Sequence, residues 1–214
     1  MNKTIFTATI LCGLLPAQSP KAQAILMAVG ANSKQIAAYQ WKQKITVYRH
    51  GNPTAPTLEE IRFDITGQPH RVTLSKPEEK RMGPLRARKA AGIKEDVQDV
   101  MQLARRYASP QQVADVIRKG EIWEGPGALR VQSRSAVIPG DELTIAVNSN
   151  THLPSRMDIK THYEGAPVSI AIDYEHLAGG PSMMSRMTVQ IPKDGIVVSV
   201  ESFDFVRLAG TINP

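Results

Sequence analysis

The side chains that most often do chemistry are sparse in this chain and badly spaced for it. It holds five histidines, His50, His70, His152, His162 and His176, and one cysteine, Cys12. No two histidines stand four apart, the spacing that sets two imidazoles on one helix face for a metal. His152 and His162 bracket a strand-like segment, with His162 on its polar side, so a zinc or acid–base role would need the fold to gather them. Asp141-Glu142 is a carboxylate pair, but neighbours on a strand face opposite ways, and a turn into the following strand is the simpler reading. A Gly-x-Ser-x-Gly elbow and a phosphate loop are both missing from the sequence. Gly125-Pro126-Gly127 and Gly179-Gly180-Pro181 read as turns, since no helix start follows a strand there. Met183, Met184 and Met187 form a small cluster of adaptable apolar side chains. The expectation is a chain without catalytic residues, metal or cofactor, whose function is binding.

The N-terminus says where that binding takes place. Lys3 gives a positive start, an apolar run follows from Ile5 to Leu15, and Pro16 closes it. Ala22-Gln23-Ala24 then supplies a small-x-small tripeptide. Residues 1–24 are expected to be a secretory signal peptide cut after Ala24, too short for a membrane span. Residues 25–214 then form one domain, exported to the periplasm. Because Cys12 lies in the leader, that domain has no thiol for a disulfide, a metal or a nucleophile.

The full chain carries 26 Lys and Arg against 20 Asp and Glu. Without Lys3 and Lys21 the excess falls to 24 against 20. Much of it is local: Lys80, Arg81, Arg86, Arg88, Lys89 and Lys94 follow one another with no acidic residue between them. In an exported protein such a cluster suits an anionic membrane surface or an acidic envelope protein rather than nucleic acid. A solvated helical face is the plainer alternative.

The elements that would position these residues follow from periodicity. Ile25, Leu26, Val29, Ile36 and Tyr39 predict a helix over 25–39. From Trp41 the period changes to two: Trp41, Gln43, Ile45 and Val47 share one face of a strand. Ile61, Phe63 and Ile65 mark the next strand, and Val72 and Leu74 the third. Residues 77–119 are a helical insertion, in which Gly83-Pro84 interrupts a first helix over 77–91. A second helix runs over 93–107, and a third opens on Ser109, Pro110 and Gln112 as a capping box and stops at Gly120. Strands resume at Glu121 and continue to about Leu208. The fold class expected is α+β: about nine or ten antiparallel strands in an unclosed barrel. One apolar face is covered by the N-terminal helix and the inserted helices.

The segment Pro139-Gly140-Asp141-Glu142-Leu143-Thr144-Ile145-Ala146-Val147-Asn148 leads through Ser149-Asn150-Thr151 into Leu153-Pro154-Ser155-Arg156-Met157. With Glu164-Gly165, Asp173-Tyr174 and the long last strand from Val197 to Arg207, it resembles the bacterial outer-membrane lipoprotein-sorting, LolA-like superfamily. The resemblance covers most of the layout after the leader, and in motif residues 139–207. It implies an unclosed antiparallel barrel lidded by helices that carries or senses lipids or lipid-modified proteins. Arg62 stands as the candidate for the early-strand arginine that helps control lid opening in the carrier family. The expected ligand is therefore an acyl chain, lipid or lipoprotein against Ile145, Val147, Met157, Ile159, Ile170 and Ile172, on the apolar face of the sheet. The alternative is an envelope interaction or regulatory sensor module with a filled core.

Overall fold

The computed structural model describes residues 19–64, 68–77 and 83–208. Their strands are β1 (Tyr39–Arg49), β2 (Asn52–Pro53), β3 (Thr57–Phe63), β4 (Pro69–Ser75), β5 (Glu121–Gly125), β6 (Ala128–Arg134), β7 (Glu142–Asn148), β8 (Pro154–Tyr163), β9 (Ala166–His176), β10 (Ser182–Ile191) and β11 (Ile196–Arg207). They form one antiparallel sheet in the order β4-β3-β1-β11-β10-β9-β8-β7-β6-β5, with the two-residue β2 paired to β1. The sheet is not closed: β4 and β5 are its edges. The fold is thus α+β, an open half-barrel. Ten strands lie on the main path, and β2 is a short addition from the His50–Pro53 turn.

The period of two in the sequence becomes a row of apolar side chains across the sheet. Ile45 lies opposite Val200, and the row continues through Met187, Ile172, Met157, Ile145 and Val131 to Ile122. A second row runs from Val47 through Val198, Val189, Ile170 and Ile159 to Leu143. Alternate residues point the other way, and there Arg156 of β8 bonds Asp158 and Asp173 in solvent. Register is fixed by this division, since a slip of one residue would turn every apolar side chain outward.

Among the described residues, three α-helices cover the inner face. The first, α1 (Pro20–Ile36), starts five residues earlier than its apolar spacing alone suggests. Ser19 caps it by accepting from the Ala22 amide, and Pro20 sits where a missing amide costs nothing. Tyr39, expected at its end, belongs to β1. The second, α2 (Pro84–Tyr107), is one continuous helix where two were expected: Gly83-Pro84 begins it instead of interrupting it. Residues 78–82 lie outside the described residues. The third, α3 (Pro110–Lys119), follows a one-step corner at Ala108-Ser109.

The Ser109 hydroxyl accepts from the Gln112 amide at 3.3 Å, which is half of the expected capping box. The Gln112 side chain instead donates to the Ala136 carbonyl at 2.9 Å and ties α3 to the loop before β7. Gly120 ends α3 for want of space: a Cβ there would meet the Val116 and Gln132 carbonyl oxygens at 2.6 and 2.7 Å.

Val100, Met101, Leu103, Ala104 and Tyr107 of α2 join Val113, Val116 and Ile117 of α3 and Ile25 and Val29 of α1 in one core with the sheet. At the β4 edge the pattern reverses. Val72 and Leu74 are exposed and Arg71 is half-buried, so the inner side of the β1–β3–β4 end is partly polar.

Candidate functional site

That reversal creates the site. Over β6 to β10 the helices fill the concave face. Over β1, β3 and β4 they leave a cavity of about 710 Å³ beneath α2, a volume typical of small-ligand sites. Its apolar wall is Ile45 and Val47 of β1 facing Ile93, Val97 and Met101 of α2. The spacing of the last three, four residues apart each time, sets one side chain per turn along the cavity.

A polar group closes one end. Gln43, 3 % exposed, donates to Ser202 at 3.2 Å and accepts from Arg71 at 3.1 Å. Arg71 also donates to Glu59 at 3.3 Å. Arg105 of α2 reaches toward the same pair; burial first and the Arg71 charge second lower its pKa, partly offset by Glu59. Arg71 thus bonds the Glu59 carboxylate, and Arg105 lies within reach of both charges under the helix. At the other end Arg49, Lys76 and Lys94 line the cavity with Thr54, Ala55 and Pro77. The Arg49 Nε is buried and has no hydrogen-bond partner.

Two contacts hold α2 to the packed side of the sheet. At its last residue the Tyr107 hydroxyl donates to Asp141 at 2.6 Å and lies 3.0 Å from the Thr161 hydroxyl. Asp141 is fully buried and also accepts from the amides of Ala136, Val137 and Ile138. Burial alone would raise its pKa, but the bonds from Ile138, Tyr107, Val137 and Ala136 outweigh burial and hold it below the usual carboxylate range. Tyr107 is pushed up, by burial first and then by Asp141. Two turns back, Asp99 accepts from the Tyr163 hydroxyl at 2.9 Å, which with some burial lifts that phenol to about 12. The half of α2 before Asp99 has no such fastening to β8 among the described residues.

A second cavity of about 220 Å³ opens where α1 meets the sheet. It is lined by Ile36, Trp41, Phe63, Tyr174, Met183 and Met184, among others. The three methionines of the cluster all stand on β10: Met183 and Met184 line this small space, and Met187 packs in the core. Burial raises the Tyr174 phenol.

The structure brings the six sequence-selected apolar residues together on the inner face, as their alternation required. Ile145, Val147, Met157 and Ile172 are wholly buried, and Ile159 and Ile170 are 1 % exposed. They share one packed core with the helices, and none lines either cavity. Lys94 is on the cavity wall and Arg88 is exposed on α2. Arg86 and Lys89 lie on the first turns of α2, and Lys80 and Arg81 fall outside the described residues. Arg62 is exposed on the outer side of β3, away from the cavity. Sequence reading did not select Arg49, Glu59, Arg71 or Arg105. Their signal was an arginine or carboxylate in register with apolar positions: Arg49 continues the Gln43-Ile45-Val47 series, and Arg105 follows Ile93, Val97 and Met101.

His152 and His162 do not join a metal set: among the described residues no group of three histidine, cysteine or carboxylate side chains is placed to hold an ion. Asp141 is buried in the turn before β7, and Glu142, the first residue of β7, is exposed beside Lys160.

No family model matches the chain, and no curated protein matches it. Three solved structures are similar in shape. One is a DUF1329 family protein from Desulfovibrio piger, 11 % identical with a TM-score of 0.43, covering 89 % of this chain and 94 % of that one. Another is a LolA superfamily protein from Nitrosomonas europaea, 14 % identical with a TM-score of 0.42, covering 87 % and 93 %. The third is a domain assigned to outer membrane lipoprotein sorting, from Vibrio parahaemolyticus, 8 % identical with a TM-score of 0.47, covering 88 % and 94 %. The chain's own strands and helices give its architecture: an unclosed antiparallel sheet, one apolar concave face, and helices laid across it.

Proposed function

We propose that the protein is an exported, periplasmic and non-catalytic binding protein for a hydrophobic ligand, an acyl chain of a lipid or lipoprotein. The observation that carries this reading is the cavity between α2 and the β1–β3–β4 end of the sheet. Its wall of Ile45, Val47, Ile93, Val97 and Met101 is apolar and runs along one helix face. Each CH₂ removed from water there is worth about 0.8 kcal/mol, so a chain of modest length binds without any covalent step. The ligand enters at this end, and Ile145, Val147, Met157, Ile159, Ile170 and Ile172 form the packed continuation of the same face. A longer chain reaches them only if α2 lifts. The basic residues from Lys80 to Lys94 approach an anionic membrane surface or an acidic envelope partner. The leader, cut after Ala24, delivers the protein to the periplasm.

The test is lipid mass spectrometry on the protein purified natively from the periplasm of a bacterial host. A stoichiometric lipid or acylated peptide is the expected result. The filled core over β6 to β10 favours a second reading, an interaction or sensor module of the envelope. A stable protein that carries no lipid and takes up none when offered would select it.

A further inference from the structure

The smaller cavity is a compartment of its own and shares no lining residue with the larger one. Along the inner face of β1, Trp41 belongs to the small space and Ile45 and Val47 to the large one. Gln43 lies between them, bonded to Ser202 and Arg71, so a polar group divides the two. The small cavity, about 220 Å³, has no charged side chain in its described lining. The Trp41 and Phe63 rings stand 5.9 Å apart, tilted by 51°. With Ile36, Tyr174 and Met184 they are only half-buried, so the space is reached from solvent. The polar groups of the wall are partly engaged. The Asn32 side chain donates to the Ser182 carbonyl at 2.9 Å and accepts from the Ser182 amide at 2.7 Å. The Ser33 hydroxyl donates to the Val29 carbonyl at 2.9 Å. The Tyr174 and Ser182 hydroxyls bond to none of the described residues. Burial raises the Tyr174 phenol, which therefore keeps its proton in the neutral range. Its oxygen is nevertheless accessible: among the described side-chain polar atoms, only the Arg49 Nε is both sealed and unpartnered. A phenol proton set in an apolar wall without an acceptor is costly, and a ligand oxygen would answer it.

We propose that this cavity is a second binding site, for a small neutral ring compound whose carbonyl or hydroxyl oxygen accepts from Tyr174. Size sets the first limit: at the density of a protein interior the space holds roughly ten non-hydrogen atoms, two fused rings. Shape sets the second. Trp41, Phe63 and Tyr174 offer rings for stacked or edge-to-face contact, and the Met183 and Met184 thioethers suit the edge of a ring. A flexible chain of equal size would lose more rotational freedom on entry. Charge sets the third, since a carboxylate or ammonium would be desolvated with no opposite charge on the described wall. The site is additional to the acyl-chain cavity and does not depend on it.

The experiment compares 1-tetralone, tetralin and 1-naphthoate by calorimetry at pH 7, on the delipidated protein and on its Tyr174→Phe and Val97→Trp variants. The unaltered protein is expected to bind 1-tetralone and tetralin, one per chain, and 1-naphthoate at least tenfold more weakly than 1-tetralone. Tyr174→Phe keeps the ring and removes the hydroxyl. It should weaken 1-tetralone at least fivefold and leave tetralin unchanged, which also reports an intact fold. Val97→Trp fills the larger cavity and should leave 1-tetralone binding as it was. An equal response of 1-tetralone and tetralin to Tyr174→Phe would overturn the proposal. So would 1-naphthoate binding as tightly as 1-tetralone, loss of 1-tetralone binding in Val97→Trp, or failure of both neutral compounds to bind. None of these results bears on the acyl-chain reading, which stands or falls on the lipid analysis above.

Discussion

Tyr107, the last residue of α2, gives its phenolic proton to Asp141 in the turn that opens β7, across 2.6 Å. Because a hydroxyl has one proton to give, its short contact with Thr161 makes it the acceptor there. The three groups therefore form one directed set, with the Asp141 charge held by three amides at its centre. It anchors the C-terminal end of the helix that roofs the cavity.

Removing that anchor should cost stability without touching the ligand wall. Tyr107→Phe loses a buried hydrogen bond to a charged group, about 1.5–3 kcal/mol. Chemical denaturation is the check, with ligand affinity measured beside it. A change below about 0.5 kcal/mol would show that the anchor contributes little.

The same set should shape the acid limb of stability. The folded-state pKa of Asp141 is held below the ordinary aspartate value of 3.8. Its contribution is thus present above that value and is lost as pH falls through the lower folded-state pKa. Asp141→Asn should lower stability at neutral pH and flatten the loss of stability on acidification below 3.8. Urea unfolding at a series of pH values reads both effects; an acid limb of unchanged slope would contradict the assignment.

Tyr163 and Asp99 fasten α2 at mid-length on an exposed surface, where one hydrogen bond is worth little to global stability. Tyr163→Phe should instead loosen the helix locally. Hydrogen exchange is expected to quicken in residues 93–103, with the melting temperature almost unchanged. Equal exchange in variant and parent would show that the contact does not restrain α2.

Ile145 of β7 lies within the packed part of the concave face, away from the open β1–β3–β4 end. It has no exposure and belongs to the longest apolar row. Ile145→Ala should cost about 2–5 kcal/mol and leave ligand affinity within about twofold. Val97→Trp, which fills the cavity, should do the opposite. If Ile145→Ala were mild in stability and severe in binding, the ligand would lie over β7 and β8 after all.

At the other end of the chain, Ser19 caps α1 and Ala22 is 4 % exposed in the core. A chain starting at Ile25, as a cut after Ala24 would leave it, lacks both. Chains 19–214 and 25–214 should differ by about 1 kcal/mol or more in favour of the longer. Equal stabilities would mean that the first turn is dispensable, and N-terminal sequencing of the protein recovered from cells tests the proposed cut.

Much of this architecture could be read from the residues. The period-two runs from Trp41, Leu143, Met157 and Val168 gave strands with their inner faces correct, because burial on one side imposes that alternation. Helix limits were harder. Pro84 reads as a break in a helical pattern, yet at N1 its ring and missing amide suit a helix start. The cavity was not legible, since the same apolar residues can line a space or fill a core. What distinguishes them is where α2 lies, and that depends on contacts between residues far apart, such as Tyr107 with Asp141. The interior arginines were hidden for a related reason: Arg71 and Arg105 look like surface charges until β4 turns its apolar residues outward. Asp141 showed in Pro-Gly-Asp only as a turn residue; its role as the acceptor of a helix anchor needed the three-dimensional approach of α2.

The central claim is that an acyl chain occupies the space between α2 and the β1–β3–β4 end. The most direct measurement is photocrosslinking with a fatty acid carrying a diazirine along its chain, followed by mass spectrometry of the labelled peptides. The account predicts labels on the peptides that hold Ile45 and Val47 and those that hold Val97 and Met101, suppressed by excess unlabelled laurate and by Val97→Trp. Labels confined to the peptides of β7 to β9, or scattered over the surface and insensitive to competitor, would contradict it.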